Sequence, residues 1–200
     1  MKTLTYEDRE SWLAGRLGKI TGSRLKDIVV KRGTGQKIGY YELIAERLAL
    51  PPDGENPMDR GTRLEEEAIA RFIEESGKKV DTSLVIWTRD DNESIAVSPD
   101  GIIGKTEAVE AKCLGSASHI KAYLTQAVPD EYEYQVRQYF IVNDKLQTLY
   151  MVFYDPRLSV KEFFYLTIKR KDLQEEIDQL LEYEKNILQE VTDIVNQLSF

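Results

Sequence analysis

Two carboxylates and one ammonium are spaced along residues 94–113 so that a single β-hairpin would bring them together. Pro-Asp-Gly interrupts a β-type run at Asp100, and the residues from Ala108 to Cys113 predict a second strand after a glycine turn. Asp100 then lies at the end of one strand. Glu110 and Lys112, two residues apart on the partner strand, point to the same face.

These side chains suit a divalent cation and phosphate chemistry. Carboxylates of Asp100 and Glu110, with the backbone carbonyl of Ala111, can hold an ion such as Mg²⁺, which takes substrate phosphate oxygens as further ligands. Such an ion lowers the pKa of a bound water and neutralises charge developing on phosphorus. Lys112 would orient the attacking water as a compact point charge. A solvated strand face is the alternative interpretation of the spacing alone.

The composition limits the classes of function. With 200 residues, of which 42% are hydrophobic and 31% charged, we expect one soluble globular domain. The single cysteine, Cys113, excludes an intramolecular disulfide and a four-cysteine zinc or iron–sulfur site. Because the sequence has neither an apolar signal core nor a run long enough to span a membrane, we expect a cytoplasmic protein.

The distribution of charge matters more than its sum. A net charge of −8 argues mildly against a nucleic-acid partner. Residues 16–37, however, carry seven basic side chains against the single acid Asp27, namely Arg16, Lys19, Arg24, Lys26, Lys31, Arg32 and Lys37. A basic entry face on an acidic body is therefore compatible with DNA binding.

Helices and strands surround the hairpin in an order that gives it a scaffold. Helical periodicity is found within residues 6–49 and over 59–76, 116–124, 130–142 and 171–198. Strand-like runs cover 79–88, 148–154 and 160–168. The apolar stripe predicted for the helix over 59–76 is Leu64, Ala68, Phe72 and Ile73. The inward residues predicted for the helix over 130–142 are Tyr132, Val136, Tyr139 and Phe140. Glu65 directly follows Leu64 and could edge toward a sheet on which this helix packs, whereas at least two of the three glutamates at 65–67 are expected on a solvated face. His119, the only histidine, is expected to be a surface or packing residue rather than a catalyst.

The order of the motifs resembles that of the lambda-type phage exonucleases, the YqaJ-like viral recombinases of the PD-(D/E)XK restriction-endonuclease-like superfamily. The resemblance extends from Trp12 to Arg157, about three quarters of the chain. Its motifs are Gly61-x-x-x-Glu65, Ser98-Pro-Asp-Gly101, Glu110-x-Lys-Cys113, Gln135-Val136 and Tyr154-Asp-Pro-Arg157. It implies an α/β fold in which a central mixed sheet is flanked by helices. We therefore expect one nuclease domain over 1–200, with a DNA-end-binding face of helices in 6–49, a catalytic core over 58–168 and a C-terminal helix over 171–198.

The resemblance also implies roles for single residues. The metal ligands would be Glu65, Asp100, Glu110 and the carbonyl of Ala111, holding two Mg²⁺ ions, with Mn²⁺ as a possible substitute. Lys112 would be the catalytic lysine and Gln135 the helix glutamine beside it. A pocket for the 5′-phosphate would be formed by Arg16, Thr21, Ser23 and Arg32. A guanidinium with hydroxyls at a helix N-terminus also forms an anion site on physical grounds alone.

The activity that the resemblance implies is 5′→3′ digestion of linear double-stranded DNA, leaving 3′ single-stranded overhangs for recombination. It further implies a trimeric ring around DNA, a single-strand annealing protein as partner, and the cytoplasm of a bacterial host as the location. Two alternatives stay open. An endonuclease would use the same cluster, and a catalytically idle DNA-end-binding module would have no need to keep Asp100, Glu110 and Lys112.

Overall fold

The computed structural model of the chain describes residues 37–48 and 57–198. Its helices are α1 (Ile38–Leu48), α2 (Pro57–Ser76), α3 (Ser116–Thr125), α4 (Glu133–Val142) and α5 (Gln174–Leu198). Its strands are β1 (Trp87–Thr88), β2 (Ala96–Val97), β3 (Gly101–Ile103), β4 (Glu107–Lys112), β5 (Thr148–Tyr154) and β6 (Phe163–Lys169). Across these described residues no helix has the length and apolar character needed to cross a bilayer.

The main sheet of the fold is mixed and has four strands in the order β3-β4-β5-β6. β3 and β4 form an antiparallel hairpin. The amides of Gln147 and Thr148, where β5 begins, donate to the carbonyl of Thr106, which immediately precedes β4. These two strands therefore start at the same edge and run parallel, and the helices α3 and α4 make the connection that parallel strands require. The expected mixed sheet flanked by helices is confirmed.

The chain forms two compact units. The first contains Cys113–Ala127 and Phe153–Phe164 with the described residues up to Leu64, and its core includes Tyr41, Ala45, Ile120 and Leu158. The second contains Glu65–Lys112, Val128–Val152 and the residues from Tyr165 onward. In the second unit, the ring of Phe72 packs against those of Tyr150 and Tyr165. The boundaries drawn from sequence for a single nuclease domain stay a prediction, and its helices before residue 37 lie outside the described residues.

Most predicted elements are found close to their expected bounds, but the strand over 79–88 is wrong. Only Trp87–Thr88 forms regular strand there, with an isolated bridge between Asp81 and Ile102. The Asp81 carboxylate accepts hydrogen bonds from both the amide and the hydroxyl of Ser83. Because such a local turn competes with ladder pairing, the segment leaves the sheet edge. Leu84 is consequently fully exposed.

The apolar face of α2 is also shifted from its prediction. Leu64, Ala68 and Phe72 are buried as expected, whereas Ile73 is 37% exposed and Ile69 is buried in its place. Ile69 and Ile73 are four residues apart and share a face of the helix, so this face is buried at Ile69 and partly exposed one turn later at Ile73. The C-terminal helix begins at Gln174 rather than at 171, because Arg170–Asp172 form a 3₁₀ turn.

The guanidinium of Arg170 closes the end of α4. Its Nη2 donates to the carbonyls of Phe140 and Asn143, each at 2.6 Å, and its Nε donates to the carbonyl of Leu146 at 2.7 Å. The last carbonyls of a helix have no partner within the helix. One side chain therefore satisfies three backbone acceptors at the point where the chain turns from α4 toward β5.

Replacing Arg170 by alanine should lower the free energy of unfolding by about 2–4 kcal/mol, because hydrogen bonds from a charged donor to three carbonyls are lost. Thermal or urea unfolding measures the loss. The matched control is Lys171→Ala, which truncates an exposed neighbour and should change stability by less than about 0.5 kcal/mol. Equal stability of the two variants would contradict the capping role.

Candidate active site

The β3–β4 hairpin places Asp100 next to β4. In its register Gly101 pairs with Val109, and the amide of Ala111 donates to Asp100 Oδ2 at 2.8 Å. Gly101 has no room for a side chain, because a Cβ there would lie 2.5 Å from Val80 Cγ1. The Pro-Asp-Gly sequence thus lets the strand pass close to its neighbour while the preceding carboxylate turns toward β4.

Glu110 and Lys112 project from the same face of β4, as the spacing predicts. Lys112 Nζ lies 2.6 Å from Glu110 Oε1. The Glu110 side chain is only 3% exposed, whereas that of Lys112 is 20% exposed. The ammonium also lies 4.9 Å from the centroid of the Tyr132 ring, within the range of a cation–π contact.

Helix α4 supplies two more donors to Glu110. Gln135 Nε2 donates to Oε1 at 2.6 Å, and the hydroxyl of Tyr139 donates to Oε2. Gln135 was predicted beside the site, whereas Tyr139 was interpreted only as an inward, packing residue. Tyr139 follows Gln135 by four residues, and residues four apart on a helix share a face. That spacing was the available signal for including it.

Helix α2 supplies the third carboxylate. Glu65 and Asp100 share a side-chain hydrogen bond, while Glu66 and Glu67 are exposed. The geometry therefore selects Glu65 from the run of three glutamates as the one that reaches the hairpin.

The crowding of acids changes their protonation. Burial, followed by the hydrogen bond with Glu65, raises the pKa of Asp100 to about 7. Burial and the nearby Asp100 charge raise the pKa of Glu110, against the opposing effects of Lys112 and Tyr139. Burial and the Glu110 carboxylate raise the pKa of the Tyr139 phenol, which therefore keeps its proton and acts as a donor.

The chemistry of this donor set fits a hard divalent cation. Hard cations prefer carboxylate oxygens, and Mg²⁺ is generally held by one or two carboxylates, with waters and substrate phosphates completing its shell. Because the pKa of Asp100 is raised, binding of a cation there would release a proton from this carboxyl group. Within the described ranges no three His, Cys, Asp or Glu side chains form a ready-made cage. This agrees with the occupation of both Glu110 oxygens by Lys112, Gln135 and Tyr139.

The predictions for the 5′-phosphate pocket, the Ala111 carbonyl and His119 have different outcomes. The proposed 5′-phosphate residues lie outside the described residues, namely Arg16, Thr21, Ser23 and Arg32. Ala111 is placed beside Asp100 through its amide, and its carbonyl as a metal ligand stays a prediction. His119 is fully buried, contacts the ring of Phe164 and bonds to the carbonyl of Lys161, so its expected packing role is confirmed.

A mixed sheet flanked by helices, with three carboxylates and a lysine supplied by one hairpin and one helix, is the arrangement of a nuclease of the restriction-endonuclease-like fold. Comparison with protein families agrees with this class. Residues 11–146 match the model of the YqaJ-like viral recombinase domain. The chain belongs to that family, and the resemblance drawn from its motifs is confirmed. No curated protein gives a significant match.

Solved structures support the same assignment. An alkaline exonuclease from Laribacter hongkongensis is 30% identical, with a TM-score of 0.63 over 95% of this chain and 97% of that one. The same enzyme in complex with dAMP is 31% identical, with a TM-score of 0.61 over 95% and 98% of the two chains. The similarity thus spans nearly the full length of both proteins.

Replacing Asp100 by asparagine should stabilise the cation-free protein at alkaline pH. A carboxyl whose pKa is raised in the folded protein to about 7, from its ordinary value of 3.8, contributes stability at low pH that is lost as the pH rises toward 8. Asparagine removes that charge. In EDTA at pH 8.5, the free energy of unfolding of Asp100→Asn should exceed that of the unsubstituted protein by about 1–3 kcal/mol. The difference should shrink at pH 5.

Chemical denaturation at the two pH values measures this effect. The control is Asp90→Asn, which alters an exposed carboxylate and should leave stability unchanged at both. A variant at Asp100 that is equally or less stable than the unsubstituted protein at pH 8.5 would contradict the crowding of charge at this site.

Proposed function

We propose that this protein is a Mg²⁺-dependent exonuclease that digests linear double-stranded DNA from the 5′ end and leaves 3′ single-stranded overhangs. The observation that carries the proposal is the convergence of Glu65, Asp100 and Glu110 within reach of Lys112. Family membership and the likeness to an alkaline exonuclease support nuclease activity in general. The proposal adds to this general activity the metal ion, the direction of digestion and the product.

Four groups would hold the cation: the carboxylates of Glu65, Asp100 and Glu110 and the carbonyl of Ala111. When bound, Mg²⁺ supplies a Lewis acid that lowers the pKa of an attacking water and neutralises charge on the phosphate. Two ions would share this ligand set in an in-line displacement. Mn²⁺ also prefers oxygen ligands and would be expected to replace Mg²⁺.

Lys112 would position the attacking water. An ammonium has three N–H groups, and only one of them is needed for the bond to Glu110 Oε1. The remaining donors can hold a water and stabilise its hydroxide form as a point charge. Gln135 shares the same Glu110 oxygen, so it limits the rotation of that carboxylate and with it the position of the lysine.

The polarity of digestion would come from an anchor for the terminal phosphate. Arg16, Thr21, Ser23 and Arg32 combine guanidinium and hydroxyl donors, which bind phosphate strongly and with defined geometry. Each cut of a 5′→3′ digestion generates a new 5′-phosphate. The anchor would therefore be filled again after every step, which favours repeated cleavage without release.

Partners are also part of the proposal. The relative solved with dAMP holds a deoxynucleoside monophosphate, which is the type of product that stepwise digestion of this kind would release. Double-stranded DNA ends would be the substrate, a trimeric ring the working assembly, and a single-strand annealing protein the recipient of the 3′ overhang. An endonuclease or an idle end-binding module would need the same fold, and the assay below separates them.

Incubation with Mg²⁺ and three duplexes tests the proposal: linear with 5′-phosphate, linear with 5′-hydroxyl, and covalently closed circular. We expect rapid loss of the 5′-phosphorylated linear DNA alone, with mononucleotides as product. Lys112→Ala should reduce the rate by at least about 100-fold, because a positioned catalytic group is typically worth about 10²–10⁴-fold. Lys121→Ala, an exposed lysine on α3, is the matched control and should leave the rate unchanged.

The outcomes separate the alternatives. Cutting of the closed circle would instead make the protein an endonuclease. Failure to cut any duplex with Mg²⁺ or Mn²⁺, while DNA ends are still bound, would leave the end-binding module. Removal of the metal with EDTA should abolish cleavage by the unsubstituted protein, and activity in EDTA would contradict the metal-dependent mechanism.

Arg16→Ala tests the phosphate anchor. We expect the preference for 5′-phosphate over 5′-hydroxyl ends to fall by about 10-fold or more, since a charge-assisted bond to phosphate contributes about 1.5–3 kcal/mol. Cleavage of the 5′-hydroxyl duplex should change little. The two rates are compared by quench-flow under single-turnover conditions, and an equal loss on both ends would remove Arg16 from the anchor.

A further inference from the structure

Tyr139 is a buried aromatic residue whose hydroxyl lies among catalytic candidates. The hydroxyl donates to Glu110 Oε2 and lies 3.2 Å from the carbonyl of Ser98, and the whole residue is inaccessible to solvent. Its ring packs edge-to-face against Trp87, with 6.4 Å between the ring centroids. The ring position is therefore fixed by packing, and the hydroxyl is held against the carboxylate.

Helix α4 presents Tyr139 and Gln135 to the same carboxylate from consecutive turns. Gln135 and Lys112 both donate hydrogen bonds to Glu110 Oε1, and Tyr139 donates one to Oε2. A carboxylate has two oxygens, and both are therefore oriented by donors on one rigid helix. Rotation of Glu110 about its terminal bond would break the bonds at both oxygens together.

The contact with Ser98 extends this constraint to the other half of the hairpin. Ser98 lies two residues before Asp100, and its carbonyl faces the same hydroxyl that holds Glu110. One phenol thus touches both the strand that bears Glu110 and the segment that bears Asp100. The distance between the two carboxylates depends on that shared neighbour.

We infer that Tyr139 is a positioning residue that fixes the orientation of Glu110 and its spacing from Asp100. This inference rests on the proposed function, in which both carboxylates hold the cation. Donors to a ligating carboxylate commonly change metal affinity or activity by about 10–100-fold when removed. Tyr139 would act entirely through Glu110, without touching DNA or the reacting phosphate.

Tyr139→Phe removes the hydroxyl and keeps the ring that packs on Trp87. We expect kcat for linear duplex to fall by about 10–100-fold, with KM for DNA within about twofold of the unsubstituted value. Calorimetric titration with Mn²⁺ in the absence of DNA should show a dissociation constant raised by about 10-fold. Tyr183→Phe, which removes an exposed hydroxyl from α5, is the matched control and should change none of these values.

A purely structural role gives a different pattern. It would lower the melting temperature of Tyr139→Phe while leaving Mn²⁺ affinity and kcat unchanged, and that result would overturn the inference. The same change made in Glu110→Gln gives a second test. Without the carboxylate, loss of the hydroxyl should alter Mn²⁺ affinity by less than about twofold, and an equal loss in both backgrounds would also overturn it.

The inference and the proposed function can fail separately. If the unsubstituted protein cuts no DNA, the proposed function fails, and the Mn²⁺ titrations still decide whether Tyr139 acts through Glu110. If the unsubstituted protein digests linear duplex and Tyr139→Phe does so at the same rate, only the role of Tyr139 fails.

Discussion

Mutual repulsion among three carboxylates is the constraint around which the described site is arranged. Asp100 and Glu110 from a hairpin and Glu65 from a helix lie close together, and burial disfavours the charged forms of Asp100 and Glu110. Such charges need donors or a cation close by. The neighbouring groups meet that need: a lysine, an amide side chain, a phenol and a backbone N–H all donate to these oxygens.

The scaffold explains how so few elements satisfy so many oxygens. Antiparallel pairing of β3 with β4 sets Asp100 beside Ala111, and the two-residue period of β4 sets Lys112 on the face of Glu110. Parallel strands need a long crossover. The crossover from β4 to β5 includes α4, whose one-turn repeat delivers Gln135 and Tyr139 to the same carboxylate. The connection that the parallel strands require therefore also supplies two of the donors to Glu110.

Local patterns predicted the hairpin, its three charged groups and β5, because strand alternation and glycine turns are local effects. The same rules failed at 79–88, where the turn at Asp81 replaced strand pairing. They also failed at Ile73, because the helix face that is buried at Ile69 is partly exposed one turn later. The choice of Glu65 over its neighbours needed the placement of α2 in three dimensions. Tyr139 was predicted as core from its aromatic ring, and its position four residues after Gln135 was the one local sign that its hydroxyl reaches the site.

The central claim is that Asp100, Glu65 and Glu110 form a cation site. Crystals of the protein soaked in Mn²⁺ test it most directly, because the anomalous signal of manganese locates the ion without reference to activity. The account predicts a peak in contact with carboxylate oxygens of Asp100 and at least one of the two glutamates. A manganese ion at full occupancy elsewhere, with Asp100 and Glu65 still in contact with each other, would contradict the account.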